Sequence, residues 1–158
     1  MLHAVVTRVQ DGAELDEARR LFREYAGKVD APACFEDFER ELNGLPGAYA
    51  PPEGALLLAT EGGAAVGCIA LGPLDGGSCE IKRLYVDERH RGTGLGRRLV
   101  ETALAEAKRL GYRRVERETV PAVMPTAHQL YERLGFRRAE GEAPASRPGV
   151  ARLAFELA

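Results

Sequence analysis

The chain has 158 residues, about one domain's worth, with 45% hydrophobic and 29% charged residues. Its 22 Lys and Arg against 24 Asp and Glu leave a net charge of -2, which excludes the basic excess of a dedicated nucleic-acid binder. No apolar run approaches the ~20 residues needed to span a bilayer, and the opening MLHAVVTRVQDG has no charged segment followed by an apolar core, so the expected setting is the cytoplasm, without membrane contact.

Three cysteines, Cys34, Cys68 and Cys79, are too few and too scattered for a disulfide framework or a zinc site. They are expected as small buried hydrophobes, and no metal is expected. Two Pro- and Gly-rich stretches, Leu45 to Gly54 and Ala139 to Gly149, read as loops and are too short to link separate domains. The expectation is a single domain over residues 1–158.

Ala4 to Val9 is short and β-branched, a predicted strand. Ala13 to Lys28 places Leu15, Ala18, Leu21, Phe22 and Tyr25 at helical spacing, with Asp11 and Glu14 as a capping box. Cys34 to Leu42 repeats the helical pattern with Phe35, Phe38 and Leu42. Ala55 to Glu61 and Ala65 to Leu71 flank Gly62-Gly63 and predict a hairpin. Ser78 to Val86 is a further strand. An apolar stripe from Leu95 to Leu110 predicts a long helix ended by Gly111. A strand over Arg113 to Val120, a helix over Pro125 to Leu134, a minor strand and a final strand over Val150 to Leu157 complete the order. Strands that alternate with helices, plus a hairpin, imply an α/β (α+β) domain with a mixed sheet covered by helices.

The most informative stretch is Leu84-Tyr85-Val86 followed, after Asp87 to His90, by Arg91-Gly92-Thr93-Gly94-Leu95-Gly96-Arg97. A strand runs into a turn with three alternate glycines and then into a helix. Glycines let backbone N–H groups converge on one point, and the helix start adds unpaired donors and the positive end of its dipole. Arg89, Arg91, Arg97 and Arg98 add charge there. The physics is that of a diphosphate cradle. A triphosphate loop would end in G-K-[ST], whereas Arg97 follows Gly96; a dinucleotide turn would read G-x-G-x-x-G, whereas the spacing here is G-x-G-x-G. A tight strand–helix connection with exposed arginines is the alternative.

Arg91-Gly92-Thr93-Gly94-Leu95-Gly96 resembles the R-x-x-G-x-G/A motif of the GNAT superfamily of acetyltransferases. Ala127 to Phe136 resembles that family's A-x-x-L-Y-E-x-L-G-F signature. The resemblance implies a central, mostly antiparallel twisted sheet of six to seven strands flanked by about four helices. It implies acetyl-CoA as co-substrate, held by Leu84, Tyr85, Val86 and Arg91 to Arg97, and it makes a homodimer plausible. It also implies a central strand splayed from its neighbour, with a backbone N–H near Val86 for the oxyanion. Met124 stands where many members carry Asn, so that Asn's hydrogen bond is not expected.

An amine of pKa about 10.4 is neutral in only about one molecule per thousand near pH 7.4, a deficit of about 4 kcal/mol, so the acceptor needs a base or a desolvating pocket. Glu80, on the strand that feeds the cradle, matches the acidic base of some GNAT members. Its alternative role is an ion pair with a basic neighbour such as Arg117. Tyr131 is, by resemblance, the general acid for the departing thiolate; helical spacing alone gives it a core-packing role. His128 is expected on the solvent side. Strand alternation sets Cys79 opposite Glu80, and no histidine near it in sequence would activate it, so direct transfer is favoured over an acetyl-cysteine.

The acceptor site is expected from Phe35, Phe38 and Tyr49, with Lys82, Arg83 and Arg117 as candidate partners for an acceptor carboxylate or, alternatively, as solvated charges. The leading reading is an N-acetyltransferase acting on a small-molecule or peptide amine. A catalytically silent acyl-CoA sensor and an unrelated nucleotide-binding domain are the alternatives.

Overall fold

The computed structural model describes residues 4–29, 35, 37–122, 124–139 and 149–157. Cys34 and most of the loop predicted over Ala139 to Gly149 lie outside them. Seven strands form one sheet among the described residues: β1 (Val5–Arg8), β2 (Ala55–Glu61), β3 (Ala64–Pro73), β4 (Ser78–Val86), β5 (Arg114–Thr119), β6 (Arg137–Arg138) and β7 (Ala151–Glu156). Their spatial order is β1-β2-β3-β4-β5-β7-β6, and every neighbouring pair is antiparallel except β4–β5.

Four helices accompany the sheet: α1 (Gly12–Lys28), α2 (Phe38–Asn43), α3 (Leu95–Arg109) and α4 (Pro125–Arg133). At the start of α1, Asp11 accepts from the Glu14 N–H at 2.8 Å while Glu14 accepts from the Gln10 N–H at 2.9 Å. Two orphan donors of the first turn and its approach are thus satisfied. The second helix is shorter than its apolar pattern suggested. Asp37 sits in the left-handed region (φ 57°) and α2 begins only after it. A single 3-10 turn at Gly47–Tyr49, inside a stretch read as loop, carries the buried Tyr49.

The sheet separates two apolar layers. On one face α3 buries Leu95, Leu99, Val100, Ala103 and Ala107 against Leu57, Ile69 and Ile81, and α4 adds Tyr131. On the other face α1 buries Ala18, Leu21, Phe22 and Tyr25 against Leu56, Leu58 and Cys68. Alternating side chains along each strand feed both layers, which explains why β2 and β3 read as unbroken apolar runs.

Two irregularities in β4 shape the site. Lys82 pairs with Ala70 and Tyr85 with Cys68, so Arg83 and Leu84 together oppose Ile69, a β-bulge with Arg83 left-handed (φ 61°). The bulge shifts the alternation: Tyr85 joins the α1 layer, while Leu84 and Val86 pack toward α3 with Cys79 and Ile81. The second irregularity is where β4 and β5 part. Their parallel pairing covers only Ser78–Arg114, Cys79–Val115 and Glu80–Glu116. From Ile81 onward, β4 continues without β5 alongside.

Candidate active site

Beyond that fork, Leu84 and Val86 of β4 and Leu95 and Gly96 of α3 line a cavity of about 320 Å³, closed on the far side by Thr126, Ala127 and Leu130 of α4. Gly92 (φ 76°) and Gly94 (φ 83°) are both left-handed, a conformation that L side chains rarely adopt, and Gly94 is the N-cap of α3. No side chain caps α3 and no acid lies in its first turn. Its leading N–H groups therefore keep their capacity for an anion. Arg91 holds the turn by donating from Nε to the Val86 carbonyl at 3.2 Å, and Thr93 donates to the His90 carbonyl. Arg97 is exposed beside Glu101 at 3.6 Å. His90 bridges Asp87 (2.6 Å) and Glu61 (3.3 Å), and its hydrogen bond to Asp87 raises its pKa. The backbone and charge of this turn fit the diphosphate of coenzyme A.

Tyr85, expected at the cofactor, turns its side chain to the opposite layer. Its hydroxyl donates to Glu24 at 3.2 Å, and its ring lies against Tyr25. The bulge at Arg83 and Leu84 is the physical reason.

Arg117 of β5 sits at the fork. It is 8% exposed, donates from Nη1 to the Ile81 carbonyl at 3.3 Å, and lays its guanidinium 5.7 Å from the ring centre of Tyr131. Tyr131 is wholly buried, edge-on to Phe136, and its hydroxyl has no hydrogen-bond partner among the described residues. Burial pushes its pKa up to about 12, and the Arg117 charge opposes that rise.

On the other face of the sheet, a cavity of about 340 Å³ lies between α2, the Gly47–Tyr49 turn and β4. Glu80, Lys82, Glu41 and Tyr49 line it. Glu80 and Lys82 stand 4.0 Å apart, each side chain about one-third exposed (34%). Tyr49 is buried, and its hydroxyl is engaged with Glu41; burial raises its pKa.

The two arginines expected to meet an acceptor carboxylate do not line this cavity. Arg83 is 4% exposed, donates to both carboxylate oxygens of Glu41 at 2.8 and 3.0 Å, and lies across the rings of Phe35 and Phe38. Arg117 is occupied at the fork. Phe35 packs on Tyr25 and Phe38 rather than lining the cavity. The sequence reading also missed His128. It is buried, with Nδ1 2.7 Å from the Thr119 hydroxyl and Nε2 3.3 Å from Glu132, and it ties α4 to β5. Met124, in place of the family's Asn, accepts from the Tyr25 hydroxyl through sulfur at 3.5 Å. Among the described residues no group of His, Cys, Asp or Glu could hold a metal ion, and no helix is long and apolar enough to cross a membrane.

A glycine turn at a helix start, beside strands that part from one another, is the arrangement that the resemblance to the acetyltransferases implies. The chain belongs to the Acetyltransferase (GNAT) family, whose model matches residues 15–136, and is an N-acetyltransferase of that family. An uncharacterized N-acetyltransferase of Schizosaccharomyces pombe is 33% identical over 154 residues, covering 96% of this chain and 94% of that one. A GNAT-family N-acetyltransferase of Escherichia coli, solved in complex with CoA, is 24% identical with a TM-score of 0.73, covering 100% of this chain and 83% of that one. An acetyltransferase of the GNAT family from Staphylococcus aureus is 21% identical with a TM-score of 0.76, covering 98% and 100%. Both structures share the fold, a mixed and mostly antiparallel seven-stranded sheet with four helices, in agreement with the expectation from sequence.

Proposed function

We propose that this chain moves an acetyl group from acetyl-CoA directly to a neutral primary amine of a small molecule or peptide, within a ternary complex. The observation that carries the reading is the Tyr131 hydroxyl, buried without a partner beside the fork of β4 and β5. An unpartnered buried hydroxyl costs about 1–3 kcal/mol. A sulfur that gains negative charge at the fork is the acceptor that this hydroxyl lacks.

In this reading the backbone of Gly92 to Gly96 grips the diphosphate, with Arg91 and Arg97 adding charge. Binding energy at this remote end orients the reacting carbonyl. The edge of β4 from Ile81 to Val86 carries the pantetheine arm, and a freed N–H there stabilises the oxyanion. Glu80, on the cavity side, takes the amine proton directly or through water and passes it to solvent. The amine nitrogen forms the new C–N bond, the C–S bond breaks, and the thiolate leaves. A phenol at about 12 is a weaker acid than a thiol at about 8.5. Tyr131 therefore assists by donating a hydrogen bond to the leaving sulfur, and solvent supplies the thiol's final proton.

Cys79 supports direct attack over a covalent relay. It is fully buried, and burial pushes its thiol up to about 12, far from the thiolate a nucleophile needs. Thiol release from acetyl-CoA across an amine panel tests the reading. Cys79→Ser and Cys79→Ala are expected to keep turnover; loss in both, with CoA binding and folding intact, would overturn direct transfer.

A further inference from the structure

The acceptor cavity holds more charge than an amine needs, and most of that charge is already committed. Glu41 is neutralised by Arg83, and the Tyr49 hydroxyl is engaged with Glu41. Two side chains of opposite sign are left facing the space from β4: Glu80 and Lys82. They sit two residues apart on the same side of the strand, before the bulge at Arg83 changes the alternation. Their 4.0 Å separation is at the outer limit of an ion pair, and each side chain is about one-third exposed (34%). A pair this loose contributes little to stability and opens easily.

A loose pair is a template for a molecule with the opposite arrangement of charge. An ammonium that enters beside Glu80 takes the place of Lys82; a carboxylate on the same molecule takes the place of Glu80 beside Lys82. Arg40 and Asp37 also line the cavity and add one charge of each sign. An amine without a carboxylate would take Glu80 away from Lys82 and bring no group of its own to replace it.

We propose that the acceptor is a small zwitterion, an amine bearing its own carboxylate at amino-acid spacing, with Glu80 receiving the amine end and Lys82 the carboxylate end. This substrate class rests on the reading of the site as an acetyltransferase active site. It assigns Lys82 a specificity role in place of the buried Arg83 and Arg117.

The test is a panel of amino acids, each alongside its primary amide and its decarboxylated amine, at saturating acetyl-CoA. Thiol release gives kcat/KM, and calorimetry on the CoA complex gives binding. For at least one side chain, the free acid is expected to exceed its amide and amine by about tenfold or more, the worth of one charge-assisted contact. Lys82→Met is expected to bring the acid-to-amide ratio to about one, and Lys82→Arg to restore most of it. Thermal melting serves as the folding control. Equal or better turnover of amides or amines, or a ratio unchanged in Lys82→Met, overturns the zwitterion while leaving the transferase reading intact. Acids that bind the CoA complex without thiol release overturn the transferase reading while upholding zwitterion recognition. Neither binding nor turnover overturns both.

Discussion

Arg83 holds both carboxylate oxygens of Glu41, at 2.8 and 3.0 Å, from a backbone that is itself left-handed (φ 61°). The pair locks the β4 bulge to α2. With the arginine 4% exposed and its partner's side chain at 19%, removal of one member leaves a charge with little water to replace it. Arg83→Ala is expected to cost about 3–5 kcal/mol, because alanine keeps a Cβ in the same left-handed backbone and relieves none of its strain. Urea unfolding measures it. A loss below about 1 kcal/mol would show that the pair does not fasten the bulge.

The same pair sets an acid limit to stability. Burial pushes the Glu41 carboxyl up, but its hydrogen bonds and charge interaction with Arg83 outweigh that, and its pKa lies below the ordinary value. A carboxyl that is more acidic folded than unfolded contributes stability above its unfolded pKa. That stability is lost as pH falls through the folded value. Melting temperature is expected to fall from about pH 5 downward. Glu41→Gln should start lower at neutral pH and lose less over the same range; parallel curves for the two proteins would contradict this.

Tyr131 separates stability from catalysis. Its hydroxyl is buried with no partner, so Tyr131→Phe removes an unsatisfied group and keeps the ring's contact with Phe136. Melting temperature is expected to hold or rise, while kcat falls by about 10²-fold or more. KM for acetyl-CoA should change little. A variant with full kcat would remove Tyr131 from the chemistry.

Gly96 measures the cradle. A Cβ built there would meet Leu130 at 3.6 Å and Val86 at 3.9 Å, both ordinary contacts. Gly96→Ala should therefore fold and bind CoA within a few-fold of wild type. Gly96→Leu would occupy the space between α3 and α4 and should weaken CoA by about tenfold or more, as read by calorimetry. Equal affinities for the two variants would place the cofactor elsewhere.

Much of this architecture was legible in the sequence because the periodicities were strong. The runs Ala55–Glu61 and Ser78–Val86 are strands over the same residues that were predicted, and the stripe from Leu95 marks α3. The glycine turn was legible because its residues carry backbone requirements. The charged residues near the acceptor were not. Strict alternation along β4 gives no hint that Arg83 occupies a bulge, and nothing in the spacing of Glu41 and Arg83 announces their pairing across 42 positions. His128 was misjudged for a related reason: its partner Thr119 lies on another element.

The cavity at the glycine turn and the cavity beside Glu80 lie on opposite faces of one sheet, which β4 and β5 leave unpaired beyond Glu80. In the proposed reaction, traffic of the two reactants is thereby uncoupled: neither has to vacate a doorway before the other can arrive or depart. That reaction leaves either order of addition open, and an inhibitor that fused both reactants into one molecule would have to thread the sheet itself.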